Sequence, residues 1–199
     1  MKQLVIVGAG GHGKVVLDGA LINGWAIWGL VDDDSDKVGS TMTGYEIKAG
    51  TATFLELVPE NIVAVIAVGS NASRAALYEK FSAHLEIVSV IHPAATISDS
   101  ATISTGAVIM PGAVVSAEVS LGAGVIVNTN SSIDHDCRLG DFAQVSPGST
   151  ICGSVNLGER TFIGAGATVL QGLTVGKDAI VAAGAVVTKD VPPGVTVKG

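Results

Sequence analysis

A small α/β domain with a parallel sheet, followed by a coil of parallel β-strands, is the fold class this sequence predicts. Three observations predict it. From Ile91 to Pro192 the chain reads in blocks of six, and seventeen consecutive blocks open on an aliphatic residue with no insertion. Before Ile91, short apolar runs alternate with helical patterns, the order that gives a small parallel sheet. Glycine is abundant, at 26 residues, and aromatics are scarce, at 4%, which suits turns and a coil packed with small side chains.

In chain order, Leu4–Val7 reads as a buried strand, Gly8–Gly13 as a glycine loop and Lys14–Asn23 as a helix. Ala26–Val31 is a second strand that runs into Asp32, Asp33 and Asp34. Gly44–Ile47 reads as a short strand, Ala52–Val58 as a short helix and Ile62–Val68 as a third clear strand ending at Gly69-Ser70-Asn71. Arg74–Phe81 reads as a helix and Glu86–Ile91 as a strand feeding the first block. The domain boundaries that follow are 1–86 for the α/β part and 87–199 for the coil.

The blocks open on Ile91, Ile97, Ile103, Ile109, Val115, Leu121 and onward to Val187. Their fifth residues are mostly small, as at Ala107, Ala113, Ser131, Cys137, Ala143, Ser149 and Ala167. Neither a helical period nor a two-residue alternation gives this pattern; a six-residue repeat marks a parallel β-helix. Three blocks close one triangular turn, the leading aliphatics stack about 4.8 Å apart, and the small fifth residues fit the inner corners. A generic Gly/Ala/Val-rich sandwich would have no reason to hold one phase for so long.

Composition narrows the partners. A net charge of −7 and a pI of about 4.9 exclude a nucleic-acid polymer. Cys137 and Cys152 are too few for a disulfide framework. The run Leu4–Val7 is too short for a signal peptide and no stretch is long enough to span a bilayer, so a cytoplasmic protein without a membrane partner is expected.

Gly8, Gly10 and Gly13 fit G-x-G-x-x-G between a strand and a helix, and Asp32 follows Gly13 by 19 residues, where a dinucleotide fold puts its ribose-binding acid. The physics is more general than that motif. Glycines let the backbone approach a phosphate, and a helix N-terminus supplies amides and partial positive charge. The first domain is only about half of a full dinucleotide fold. It reads as a Rossmann-like half-fold for a nucleotide diphosphate, with NAD the weaker alternative and a tight turn that binds nothing the plainest one.

In the coil, positions one and five point inward, so the third positions are expected to face out on three sides. One column is Ala117, His135, Gly153, Gln171; a second is Thr129, Pro147, Ala165, Ala183; a third is Ala123, Asp141, Glu159, Lys177. The third column is charged and should be solvated. The other two are uncharged and need a cover, which a threefold oligomer would supply. His135 stands between Asp134 and Asp136 with Gly153 on the next turn. An imidazole can take a proton near neutral pH, and a flanking carboxylate raises its basicity; Asp136, nearer the corner, is the favoured partner. Gly153 offers a backbone N–H for an oxyanion. A solvated surface histidine is the alternative reading. The coil's only histidines, His92 and His135, are far apart in sequence, so no metal is expected.

The whole chain resembles bacterial nucleotide-sugar acetyltransferases of the sialic acid O-acetyltransferase type, within the hexapeptide-repeat acyltransferase superfamily. The likeness rests on Gly8-Ala9-Gly10-Gly11-His12-Gly13, Leu30-Val31-Asp32-Asp33, Ala67–Asn71 with Arg74, Val90–Pro93, and Asn128-Thr129 through His135-Asp136-Cys137. Within that family it resembles the UDP-4-amino-sugar (bacillosamine-type) N-acetyltransferases, alongside the GDP-perosamine N-acetyltransferases. The resemblance implies a left-handed coil, where the general crossover rule would predict a right-handed one. It implies acetyl-CoA as co-substrate and a nucleotide-linked 4-amino sugar as acceptor, with His135 as general base, Asp136 beside it and Asn128 near the acceptor amine. It implies nucleotide contacts at Gly10, Gly11, His12, Asp32, Asp33 and Gly69, and acetyl-CoA contacts at Gly153, Ala165 and Ala183. Some members carry a second histidine where this chain has Gln144, so Gln144 is expected beside the acetyl group as a hydrogen-bond donor that carries no proton. A homotrimer with active sites between subunits is expected. O-acetylation of a sialic-acid-like hydroxyl, and a non-enzymatic β-helix binding protein, remain the other readings.

Overall fold

The computed structural model describes residues 2–198. The chain divides into two compact units, Met1–Val90 and Ile91–Gly199, so the division falls inside the stretch expected as one strand. That stretch serves two sheets: Glu86–Ile87 pairs with Ile62–Ile66 in the first unit, and Val90–Ile91 is the first rung of the coil.

The first unit is built on β1 (Gln3–Val7), α1 (Gly11–Ile22), β2 (Ile27–Val31), β3 (Thr41–Met42), β4 (Tyr45–Ala49), α2 (Thr51–Glu56), β5 (Ile62–Ile66), α3 (Asn71–Ser82) and β6 (Glu86–Ile87). The sheet order is β3-β4-β2-β1-β5-β6, parallel except for the β3–β4 pair. Strands β1 and β5 are buried along nearly their whole length, as expected of central parallel strands covered on both faces. One core gathers Val5, Val7, Val31, Phe54, Ile62, Ile66 and Phe81. The glycine loop ends earlier than its composition suggests: α1 begins at Gly11, with Gly10 as an N-cap that has no side-chain bond.

The second unit is a parallel β-helix of two-residue rungs in three sheets. Sheet I carries the rungs from Val90–Ile91 through Ile126–Val127 and Gln144–Val145 to Thr196–Val197; sheet II includes Ser132–Ile133 and Thr150–Ile151; sheet III includes Arg138–Leu139 and Asn156–Leu157. Every ladder is in register, as in Ile133 opposite Ile151 and Leu139 opposite Leu157. The leading aliphatics from Ile109 to Val187 are buried, while Ile91, Ile97 and Ile103 are partly so. The fifth residues Ala113, Ser131, Cys137, Ala143, Ser149 and Ala167 are fully buried.

One expectation changes. Third and fourth residues form the turns between sheets, so the three columns run down the edges of the coil and not along its flat sides. The physical reason is the fourth residue, which takes a left-handed conformation at Glu118, Asn130, Asp136, Phe142, Ser154, Arg160 and Asp178 as well as at glycines. That conformation costs an ordinary residue about 1 kcal/mol or more. Here it is held by a bond to the turn below, as from the Ser154 N–H to the His135 carbonyl at 2.8 Å.

Candidate active site and nucleotide cradle

The edge between sheets II and III carries His135. Its Nδ1 lies 2.7 Å from Asp136 Oδ2, and its backbone N–H donates to Asp134 Oδ1 at 2.8 Å. The hydrogen bond to Asp136, then the charge of Asp134, raise the imidazole above its ordinary pKa. With Nδ1 committed, Nε2 is the nitrogen left for chemistry. Gly153 seats the ring: a Cβ there would stand 2.7 Å from both Cε1 and Nε2. The imidazole opens on a groove of about 500 Å³ lined by Asp134, Cys152, Gly153, Ser154, Gln171 and Gly172. A base with an oriented ring, a free nitrogen and a groove is the arrangement general-base catalysis needs.

The other expected site residues of this unit do not join His135 within one chain. Asn128, Ala165 and Ala183 belong to sheet I and its turns into sheet II, so they lie across sheet II from the imidazole. There, added Cβ atoms at Gly148, Gly166 and Gly184 would meet nothing within 4 Å, which leaves this edge smooth. Asn128 Oδ1 accepts from the Thr129 N–H at 2.8 Å, which leaves the Nδ2 hydrogens as the amide's donors. Gln144 sits on sheet I between Ile126 and Phe162. It is only 9% exposed, and its Oε1 is buried without a hydrogen-bond partner. The third edge is an ion-pair ladder: Arg160 bonds both oxygens of Asp178 at 2.7 and 2.8 Å and also meets Glu159, which accepts from Lys177 at 2.7 Å. Among the described residues no group of three or more His, Cys, Asp or Glu could hold a metal ion.

In the first unit the glycine loop sorts into two jobs. A Cβ on Gly13 would lie 2.1 Å from the Gly8 carbonyl oxygen, and one on Gly8 would lie 2.7 Å from Val68 Cγ2. Those two glycines are demanded by the crossing of β1, α1 and the loop after β5. Gly10, Gly11 and Gly69 face open space and line a cavity of about 310 Å³ with His12, Asp32 and Lys37. No acidic residue stands in the first turn of α1, so its amides are free to meet an anion.

Asp32, marked by its spacing, and Asp33, marked only by the resemblance, both hold loops in place here. Asp32 Oδ2 accepts from the Ala9 N–H at 2.6 Å, and Oδ1 from the Asp34 N–H and Lys37. Burial would raise this carboxyl, but the two amides and Lys37 together hold it below its ordinary value. It staples the glycine loop to the end of β2. Asp33 accepts from the Thr51 N–H at 2.7 Å and its hydroxyl at 3.0 Å, fixing the start of α2.

Sequence reasoning gave no role to Lys37 and quoted Arg74 only as part of the resemblance. Arg74 is fully buried and donates to the carbonyls of Val68 and Gly69 and to Asn71 Oδ1; burial brings it down to about 10. Burial, then the Arg74 charge, lower His12 to about 4. His12 is therefore neutral at pH 7, with a buried Nε2 that has no partner. A basic residue at the head of a helix after the third strand was the only sequence signal for Arg74.

Comparison with known proteins gives matches to both units. Residues 3–81 match the model of the PglD N-terminal domain, and residues 154–189 that of the hexapeptide repeat of succinyl-transferase. A variant of perosamine N-acetyltransferase from Caulobacter crescentus, solved with CoA and GDP-perosamine, superimposes with a TM-score of 0.95 at 34% identity, covering 100% of this chain and 94% of that one. The acetyltransferase domain of PglB from Neisseria gonorrhoeae FA1090, solved with acetyl coenzyme A, gives 0.93 at 40% identity, covering 100% and 96%. UDP-N-acetylbacillosamine N-acetyltransferase of Bacillus subtilis (strain 168) is 36% identical over 110 residues, a stretch of 53% of this chain and 50% of that relative.

Proposed function

This chain belongs to the bacterial nucleotide-sugar N-acetyltransferases built on left-handed hexapeptide coils, and from that premise we propose that it moves an acetyl group from acetyl-CoA to the amino group of a nucleotide-linked 4-amino sugar. The observation that carries the proposal is the imidazole of His135, held by Asp136 at 2.7 Å and seated on Gly153 with Nε2 open to a groove.

The residues divide the work. The open amides of Gly10 and Gly11, with neutral His12, Lys37 and the free flank of Gly69, cradle the nucleotide diphosphate; Asp32 and Asp33 hold that cradle in shape. His135 Nε2 takes the proton that the amine sheds as its nitrogen bonds to the acetyl carbonyl carbon. Asp136 stabilises the imidazolium so formed, and the Gly153 N–H is the donor for the developing oxyanion. His135 then returns the proton to the departing sulfur, so one amide and one thiol leave the site. Acetyl-CoA supplies the acyl group as a thioester. Ala165 and Ala183, on the smooth edge, offer it a surface without bulk.

Because Asn128, Ala165 and Ala183 stand on a different edge from His135, each site is completed by the smooth edge of a second copy, in a homotrimer. Light scattering that finds a monomer at micromolar concentration would overturn this. The two unpaired cysteines fit a reducing, cytoplasmic setting, and the product fits the building of surface glycan or glycoprotein sugars.

The reaction is tested by thiol release from acetyl-CoA with UDP-, GDP- and dTDP-linked 4-amino sugars. Release that depends on one of them is expected; release with none of them contradicts the proposal.

A further inference from the structure

A shallow depression of about 160 Å³ lies on the outer face of sheet II, lined by the hydroxyl residues Ser116, Ser132 and Thr150 together with Asp134 and Cys152. Asp134 and Cys152 also line the groove of His135, so the two hollows meet at Asp134. Of that carboxylate's oxygens, Oδ1 accepts the His135 N–H. The second carboxylate of the turn, Asp136, is committed to the ring through Oδ2. The place where a hydroxyl-lined surface passes into the reach of a base is thus marked by an exposed negative charge.

The geometry points to Asp134 as a specificity-determining residue: it docks the acceptor as an alkylammonium, with the sugar ring resting against the hydroxyls of Ser116, Ser132 and Thr150. This rests on the acetyl-transfer reading above and adds the form in which the acceptor arrives and the group that selects it. An aliphatic amine with a pKa of about 8–10 is largely cationic at pH 7. A carboxylate within a few ångströms attracts that cation by a charge–charge interaction that a neutral hydroxyl, able only to donate a hydrogen bond to it, lacks. With the imidazole neutral, Asp134 and Asp136 give the turn two negative charges, and no cationic side chain lines either hollow. An amino sugar is therefore drawn in and its 4-hydroxy counterpart is not. The same positioning brings the ammonium nitrogen beside His135 Nε2: one proton passes to solvent to give the nucleophilic amine, and the second, shed as the nitrogen bonds to the acetyl carbon, is the one that His135 takes and hands to the departing sulfur.

The test is Asp134→Asn, which keeps an oxygen to accept the His135 N–H and removes only the charge. It is assayed with whichever nucleotide-linked 4-amino sugar of the panel releases thiol, and with the 4-hydroxy counterpart as a competitive inhibitor. KM for the amino sugar is expected to rise about fivefold at pH 7, the yield of an exposed charge pair. KM for acetyl-CoA and the inhibition constant of the hydroxy sugar should stay within about twofold, and the rise should shrink toward pH 10, where the amine is neutral. Asp134→Glu should recover most of the loss. An active Asp134→Asn enzyme with an unchanged KM for the amine, or with hydroxy-sugar binding weakened equally, overturns this role and leaves the acetyl-transfer reading standing. A wild-type enzyme that turns over no amino sugar overturns both.

Discussion

In the first unit, Phe54, Phe81, Val5, Val31 and Ile66 come together from different elements, and ionisable groups lie inside: Arg74 is fully buried, and His12 is half-buried with its Nε2 covered. In the coil, each rung repeats the last, and among the described residues no charged side chain is buried. Most of its cations and carboxylates stand in the turns along the edges, and Arg138 points outward from a rung of sheet III. The first unit thus depends on single contacts with no substitute, whereas the coil spreads its stability over many equivalent ones. It follows that an irregular residue in the coil is there for chemistry, while an irregular residue in the first unit can be structural.

Four substitutions or titrations break or sharpen that contrast. The largest effect belongs to Gly13→Ala. Its Cβ would fall 2.1 Å from a backbone oxygen, so the first unit is expected to lose about 4 kcal/mol or more. Calorimetry should show the coil still melting at its wild-type temperature while nucleotide binding is gone. Acid comes next. His12 has a folded pKa of about 4 against about 6.5 unfolded, so the unfolded chain binds the proton more readily. Its contribution is complete above about pH 6.5 and is lost as pH falls toward about 4, about 3 kcal/mol in all. Urea melts of the first unit's transition across that window should show the slope, and His12→Gln should flatten it.

In the coil the expected damage is to function. Gly153→Ala should leave the melting temperature unchanged but push the imidazole off its seat, lowering kcat/KM about a hundredfold, a scale typical of a misplaced general base. The smallest effect is at Arg160→Met, which removes an exposed ion-pair ladder. Its cost should stay below about 1 kcal/mol by denaturant melts, with turnover unaffected.

The same contrast governs what the sequence disclosed. The hexads were legible because the coil is one-dimensional: each leading aliphatic meets the one three blocks away, so periodicity alone states the packing. His135 was legible for the same reason, as an imidazole in a column otherwise filled by Ala117, Gly153 and Gln171. The turns were harder to see, since Phe142 and Arg160 adopt left-handed backbone without being glycine, and the columns were assigned to sides when they run along edges. In the first unit, spacing marked Asp32 as a ligand-binding acid but gave no sign that its oxygens also accept from Ala9, Asp34 and Lys37. That occupation depends on how β1 and β2 are placed in three dimensions. Gln144 likewise gave no hint that it would be buried, because its neighbours Ile126 and Phe162 are a full turn away in sequence.

The central claim is that one imidazole on the edge between two coil sheets is the base for acetyl transfer. Thiol release by His135→Ala, with nucleotide affinity measured alongside, tests it most directly. A fall in kcat of about a hundredfold or more, with unchanged affinity for the nucleotide, is the predicted result; turnover near that of the wild type would contradict it.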